Sequence, residues 1–226
     1  MLEQFQSVGS DLFLSHLVDS HGGNMSVREG DKLFITRRGC MLGHIIESDI
    51  IEVPIEGEVN SFASKDLLVH RAIYATTSAK SIIHAHGPYS VALSITENKV
   101  ITQDSEGLFY FNQGIPIIKT RTSIGSDEVA KMLPGMFNNG YSIVLSKGHG
   151  SFAIGDTLEK CLLYTSILEN SCKILAISRI CGQKPPPQQQ QTGREYHQRK
   201  SAIPPGLGVM DRTAFRRSRA FKSQPR

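Results

Sequence analysis

The first 180 residues alternate between short apolar runs and polar turns, in lengths typical of both strands and helices. The spacing of the leucines predicts a helix over residues 1–20. Two apolar runs, at 24–28 and 32–36, predict the strands of a hairpin whose turn contains Gly30.

The rest of the pattern predicts a mixed α/β or α+β domain. Strands are expected over 50–54, 80–86, 115–121, 141–145 and 151–154. Helices are expected over 66–76 and 90–95, from Ser126 onward, and over 157–178 with Asp156 as the possible N-cap. Because most strands follow one another closely, a regular βαβ repeat is not favoured.

Composition divides the 226-residue chain near Gly182. Residues 1–182 suit one globular domain, whereas 183–226 contain three consecutive prolines, four consecutive glutamines and few apolar side chains. Such a segment buries too little surface to offset its loss of conformational entropy, so we expect a disordered tail. The tail carries ten Lys/Arg against two acids and the body 15 against 19, so nucleic-acid binding is expected only through the tail.

Two further classes of protein are not favoured. No run of 18 apolar residues is present, which argues against a membrane-spanning helix. The N-terminal residues lack the basic and apolar regions of a secretory signal, so a cytoplasmic protein with no membrane partner is expected. Four cysteines without CxxC spacing favour reduced, buried thiols over disulfides or metal ligands; they are Cys40, Cys161, Cys172 and Cys181.

Candidate chemistry begins with two histidines, His84 and His86, at the end of an apolar strand. Residues i and i+2 of a strand project from the same face, so both imidazoles can face one metal ion. A third histidine, His149, lies between Gly148 and Gly150 at a junction of two strands. Three histidines with one open position are typical of a catalytic zinc site, although each pattern alone also suits a structural histidine.

Asp66 and His70 lie four residues apart at the start of an expected helix, and therefore on one face of it. One interpretation makes Asp66 an acid/base carboxylate, or a ligand, directed at the metal site. The other makes Asp66 a cap that accepts hydrogen bonds from its own first turn, with His70 a buried core residue. The spacing leaves both open.

Three segments have the chemistry of an anion site. The turn at 21–24 contains two glycines, whose backbone amides can approach an oxyanion closely. Arg37 and Arg38 end a strand and offer two guanidinium groups. Ser64 and Lys65 precede the helix that starts at Asp66, and so lie at its positive end. With a metal site, they suggest a pocket for a small phosphorylated substrate.

The order of five motifs resembles that of the class II aldolase/adducin family. The matching motifs are Gly23-Asn24-Met25-Ser26, Phe34-Ile35-Thr36 with Gly39, Val69-His70-Arg71-Ala72-Ile73-Tyr74, Ile83-His84-Ala85-His86, and Gly148-His149-Gly150. The resemblance covers roughly residues 1–180 and implies a three-layer α/β/α fold around a mainly antiparallel sheet. It also implies a homotetramer with active sites between neighbouring subunits.

The family pattern assigns roles to individual residues. It implies a divalent metal, usually zinc, held by His84, His86 and His149. Asp66 stands where the family has its acid/base glutamate, and His70 matches a histidine that is not a ligand. The implied phosphate-binding residues are Asn24, Arg38, Gly39, Ser64 and Lys65.

This sequence departs from the family pattern at three points. Asp66 is one methylene shorter than glutamate, and Arg38 and Lys65 stand where small hydroxyl residues are common. The aldolase's catalytic tyrosine would fall near Asp104-Ser105-Glu106, where there is none, and Tyr196 lies in the unaligned tail.

The resemblance therefore implies a zinc-dependent lyase. We expect an aldolase that cleaves a small phosphorylated ketose, similar to fuculose 1-phosphate, to dihydroxyacetone phosphate and an aldehyde. A sugar-phosphate dehydratase or epimerase of the same family is one alternative. A non-catalytic scaffold similar to adducin is the other.

Overall fold

An eight-stranded sheet forms the centre of the computed structural model, which describes residues 1–58 and 60–182. Its strands are β1 (Asn24–Glu29), β2 (Lys32–Thr36), β3 (Ile50–Pro54), β4 (Ser81–Ala85), β5 (Lys99–Val100), β6 (Ile115–Ile118), β7 (Ile143–Ser146) and β8 (Gly150–Gly155). Their spatial order is β3-β2-β1-β4-β8-β7-β6-β5. Among these strands only β6 and β7 pair in parallel, so the sheet is mainly antiparallel.

Helices cover both faces of this sheet. They are α1 (Leu2–Leu14), α2 (Leu67–Thr76), α3 (Pro88–Thr96), α4 (Ser105–Tyr110), α5 (Asp127–Asn138) and α6 (Leu158–Ile180), with short 3₁₀ turns at Leu42–His44 and Glu47–Asp49. Helices α2 and α5 pack together on one face, whereas α1, α3, α4 and α6 share the apolar core of the other. The expected three-layer α/β/α fold is confirmed.

The central strand β4 shows how the two layers arise from the sequence. All five of its residues are buried, because helices cover both faces of the sheet around it. Ile82 belongs to the core beneath α2 and α5, and Ile83 belongs to the core on the opposite face. By this alternation His84 lies on the face that α2 covers, which brings it towards the residues at the start of α2.

Most of the expected elements are confirmed, but the first helix is shorter than its leucine spacing predicts. Helix α1 ends at Leu14, because His16 adopts a left-handed conformation with φ of 56°. The amide of Leu17 then donates to the carbonyl of Leu12, and that of His16 to Phe13, which is the Schellman arrangement. Leu17 remains buried in the following loop, so its apolar character marked the core and not a helix.

Three smaller expectations also differ from the structure. Thr157, not Asp156, caps α6, since its hydroxyl accepts from the amide of Lys160. The short elements α4 and β5 had no predicted counterpart. All four cysteines are free as expected, but Cys181 is exposed.

The predicted tail, 183–226, lies outside the described residues, so the structure does not test the expectation that it is disordered. Within the described part of the chain, no helix combines the length and the apolar character needed to cross a membrane.

Candidate metal centre

Three histidines converge at one end of the central strands. His84 is on β4, His86 follows that strand directly, and His149 lies in the turn between β7 and β8. The antiparallel pairing of β4 with β8 joins Ala85 to Ser151 and so brings the β7–β8 turn beside β4. The Nε2 atom of His84 lies 2.9 Å from that of His86 and 3.4 Å from that of His149. The predicted three-histidine cluster is therefore present.

The spacing of these nitrogens fits a metal ion. Zinc binds imidazole nitrogen at about 2.0–2.1 Å, so two nitrogens of a tetrahedral site are roughly 3.3 Å apart. One candidate nitrogen from each of the three residues lies within 4.8 Å of the others. The carbonyl oxygen of Ser151 lies 2.9 Å from Nδ1 of His84, and with the proton on Nδ1 the Nε2 lone pair faces the cluster. The three residues suit a divalent cation.

All three imidazoles are neutral near pH 7, as metal ligands must be. Burial lowers the pKa of His84 to about 3, with further lowering from its two histidine neighbours. Burial also lowers the pKa of His86 and His149, although the nearby carboxylate of Asp66 opposes the shift. Each neutral imidazole can therefore offer a lone pair to a cation at the centre of the cluster.

Two neighbours fix the ring of His84. The ring of Phe152 stacks on it, with centroids 4.0 Å apart and an interplanar angle of 13°. Gly150 allows the close approach, because a Cβ there would lie 2.7 Å from Cδ2 of His86 and 3.0 Å from Cε1 of His84. A larger residue at position 150 would therefore push the ligand rings apart.

Asp66 faces the three histidines and does not cap its own helix. It precedes α2, but its side chain accepts no hydrogen bond from the first turn, so the capping alternative is wrong. Oδ2 lies 3.7 Å from Nε2 of His84 and accepts from Nδ2 of Asn24 at 2.7 Å. Oδ1 accepts from the amide of Gly125 at 2.9 Å.

These contacts keep Asp66 ionised. Burial by itself would raise its pKa, but attraction to a proton on His84 or His70 at acid pH, together with the hydrogen bonds from Asn24 and Gly125, outweighs burial and lowers the pKa below its ordinary value. A buried carboxylate beside three neutral imidazoles adds the negative charge that a divalent cation prefers. Asp66 is thus a base next to the candidate metal position.

His70 is a core residue. It is fully buried, and its Nδ1 lies 2.7 Å from the hydroxyl of Ser26, which also contacts the hydroxyl of Tyr74 at 2.9 Å. This network joins α2 to β1 beneath the metal centre. The structural interpretation of His70 therefore agrees with its contacts.

The five residues expected to bind phosphate lie on three neighbouring segments. Asn24 is directly opposite His84 in the β1–β4 pair. The segment that carries Arg38 and Gly39 lies against the one that leads to Ser64 and Lys65: the amide of Arg38 donates to Phe62, and that of Ser64 to Thr36. Arg38, Gly39 and Lys65 are exposed. No anion contact tests them, so their role stays a prediction.

Two groups considered as anion ligands already have partners within the protein. Arg37 forms an ion pair of 2.7 Å with the buried Asp49. The amides of His21 and Gly22 both donate to Oδ1 of Asp19. These donors stabilise loops around the site and are not free for a ligand.

Sequence patterns did not reveal several contacts of the site. The carbonyl of Ser151 and the amide of Gly125 act through the backbone, which carries no residue-type signal. The stacking of Phe152 depends on the register of β4 with β8. The position of Gly125, directly before the N-cap Ser126, was the one sequence feature that pointed to a backbone contact there.

Comparison with known proteins gives consistent matches. The family described as the class II aldolase and adducin N-terminal domain matches residues 3–176. A crystal structure of L-fuculose-1-phosphate aldolase from Thermus thermophilus superposes with a TM-score of 0.77 and 30% identity, covering 83% of this chain and 98% of that one.

Two further relatives carry different names. L-fuculose phosphate aldolase of Methanocaldococcus jannaschii is 26% identical over 182 residues, 79% of this chain and 97% of its own length. Gamma-adducin of Mus musculus is 27% identical over 180 residues, which are 73% of this chain but only 24% of that protein.

The buried, neutral His70 generates a prediction about pH. Burial lowers its pKa from 6.5 to about 4, so the unfolded chain takes up a proton that the folded chain excludes. Neutral His70 therefore makes its full contribution to the free energy of unfolding above about pH 6.5, and this contribution is lost as the pH falls towards 4. Between pH 7.5 and pH 5 the free energy of unfolding falls by about 2 kcal/mol from this group. His70→Asn should remove that part of the pH dependence of the free energy of unfolding, measured in urea on metal-free protein.

The matched control is His44→Asn, because His44 is exposed on the protein surface. It should leave the dependence on pH as in the wild type. Equal slopes for wild type and His70→Asn would contradict a neutral, buried His70.

Proposed function

This chain belongs to the class II aldolase and adducin family, and on that premise we propose that it is a metal-dependent aldolase for a small phosphorylated ketose. The substrate we propose is similar to fuculose 1-phosphate, and the products are dihydroxyacetone phosphate and an aldehyde. The observation that carries the proposal is the cluster of His84, His86 and His149 with Asp66 beside it. A scaffold without catalysis has no need of that arrangement.

The metal we propose is zinc, held by the three Nε2 atoms. When bound, such an ion supplies Lewis-acid polarisation of a ketose carbonyl and its neighbouring hydroxyl. His84, His86 and His149 would hold the ion and would leave a fourth ligand position for the substrate, with Asp66 beside the cluster.

Asp66 then acts as the proton carrier. Its lowered pKa keeps it ionised near pH 7, so it can take up a proton from the substrate carbon and, once protonated, return it to that carbon. The hydrogen bonds from Asn24 and Gly125 fix the orientation of its two oxygens beside the three histidines.

Phosphate binding would come from the segments that end at Gly39 and Lys65. We propose that Arg38 and Lys65 form charge-assisted hydrogen bonds to the phosphate, beside Asn24, Gly39 and Ser64. Binding energy from this remote group would hold the ketose with its reacting carbons at Asp66. Two cations at this point suit a doubly charged phosphate.

The family's homotetramer belongs to this proposal too. Phe62 and Ile124 are 69% and 64% exposed, and they lie beside the segments that carry Lys65 and Gly125. Large apolar side chains exposed at the rim of a site suit the approach of a neighbouring subunit. Such a neighbour is also where the proton donor missing at Asp104-Ser105-Glu106 would come from.

A metal analysis tests the proposal first. We expect wild-type protein, purified as the full chain, to contain about one divalent ion per chain. The double variant His84→Ala/His86→Ala should contain almost none, measured by inductively coupled plasma mass spectrometry. His44→Ala is the control and should keep the metal.

The wild type is then assayed on phosphorylated ketoses. Formation of dihydroxyacetone phosphate with an aldehyde supports the aldolase, whereas loss of water or inversion at one carbon identifies the dehydratase or epimerase alternative. Wild-type protein that binds no metal even after reconstitution would point to a binding module similar to adducin.

Replacing Asp66 separates chemistry from metal binding. Asp66→Asn keeps an oxygen for the Asn24 hydrogen bond but removes the base, so kcat should fall by about 10²–10⁴-fold while the metal content stays near that of the wild type. Steady-state kinetics on metal-loaded protein measure the effect. Unchanged kcat would exclude Asp66 as the proton carrier.

Removing the two cations tests phosphate binding. Arg38→Ala and Lys65→Ala should each raise KM for a phosphorylated substrate by about tenfold, the value of one charge-assisted hydrogen bond, with a smaller effect on kcat. Lys32→Ala, which removes an exposed cation at the opposite end of β2, should leave KM unchanged. If all three variants bind the substrate equally well, the anion lies elsewhere.

A further inference from the structure

Helix α3 begins at Pro88, two residues after the proposed ligand His86, and a residue from another helix caps its first turn. Glu169, on α6, is 9% exposed. Its Oε1 accepts from the amide of Tyr89 at 2.7 Å, and its Oε2 accepts from the amide of Ser90 at 2.9 Å. The first helical residue, Pro88, has no amide hydrogen, so Glu169 binds the first two amides that α3 offers.

The position before the helix is fitted to this carboxylate. Gly87 stands at the N-cap, and a Cβ there would collide with Oε2 of Glu169 and lie 2.6 Å from its Cδ. The N-cap therefore has no side chain of its own, and the carboxylate from α6 takes the place of a Ser or Asp cap. Glu169 consequently lies against the residue that follows the ligand His86.

No salt bridge to Glu169 is found in the described ranges 1–58 and 60–182. A buried carboxylate without a cation needs compensation from hydrogen-bond donors and dipoles. The two amides and the positive end of α3 supply it. The contact therefore fixes the start of α3 firmly against α6.

The other half of α3 contacts the turn that carries the third ligand. The hydroxyl of Ser94 accepts from the amide of Gly148 at 2.8 Å and donates to the carbonyl of Val91 at 2.6 Å. Gly148 precedes His149 directly. A shift of α3 would thus move the backbone next to His86 and the backbone next to His149 together.

We propose that Glu169 is a positioning residue of the metal centre. It holds α3 in the position that brings Nε2 of His86 and Nε2 of His149 to the distances needed by one ion. It acts through the backbone of α3 and contacts neither metal nor substrate. This inference rests on the proposed metal-dependent function, because it assigns Glu169 a role in that same site.

The test uses Co²⁺ alone as the probe, with the full chain. Glu169→Gln keeps the shape of the side chain but offers one carbonyl oxygen where two acceptors are needed. We expect the dissociation constant for Co²⁺, measured by chelator competition, to rise by about tenfold, as is typical when a residue supporting a metal ligand is changed. The visible absorption bands of bound Co²⁺ should shift, because the ligand geometry changes.

Glu159→Gln is the matched control, since Glu159 is an exposed glutamate on the same helix that accepts from Gln4. It should leave both the affinity and the spectrum of Co²⁺ unchanged. Unaltered affinity and spectrum in Glu169→Gln, even with a lower melting temperature, would overturn the proposal and make Glu169 a purely structural cap. A wild type that binds no Co²⁺ would instead overturn the proposed function and this inference with it.

A second measurement needs no variant, and so does not depend on whether Glu169→Gln folds. If the cap favours metal binding, metal binding must favour the cap to the same extent. Adding Co²⁺ to the wild type should slow hydrogen exchange at the amides of Tyr89 and Ser90 more than at Val129, the amide capped by Ser126 on α5. Equal slowing at both caps, or none, would contradict the coupling.

Discussion

Three neutral imidazoles must be held with Nε2 of His84 2.9 Å from that of His86 and 3.4 Å from that of His149, so that one cation could accept a lone pair from each. That requirement explains features that otherwise have no common cause. Phe152 packs flat on the central ring, a glycine at 150 leaves room for it, and the carbonyl of Ser151 fixes its tautomer. Asp66 supplies a negative charge beside the cluster, with Oδ2 3.7 Å from Nε2 of His84.

The two helical layers contribute different residues around this cluster. The layer with α2 brings Asp66 and the buried network of His70 to the ligand face of the sheet. The opposite layer, with α3 and α6, holds the backbone on both sides of the ligands, through Glu169 at one end and Ser94 at the other. The acid/base residue that we propose and the positioning residue that we propose therefore come from different faces of the sheet.

The sequence predicted those parts of the site that depend on local geometry. Two residues apart on a strand means one face, so His84 and His86 were expected together. The role of His149 followed from the order of family motifs, because it lies 65 residues from His84 and no local pattern shows that β8 pairs with β4. For Asp66, spacing left two interpretations, and only the amide of Gly125 and the side chain of Asn24 decided between them.

The four thiols differ in their exposure: three are buried and one is exposed. Burial raises the pKa of Cys40 to about 11 and raises those of Cys161 and Cys172 further, so these three react slowly with alkylating reagents at neutral pH. Cys181 alone is exposed, one residue before Gly182. The chain therefore carries a natural single attachment point for a fluorophore or spin label, at the junction with residues 183–226 and with no cysteine to remove first.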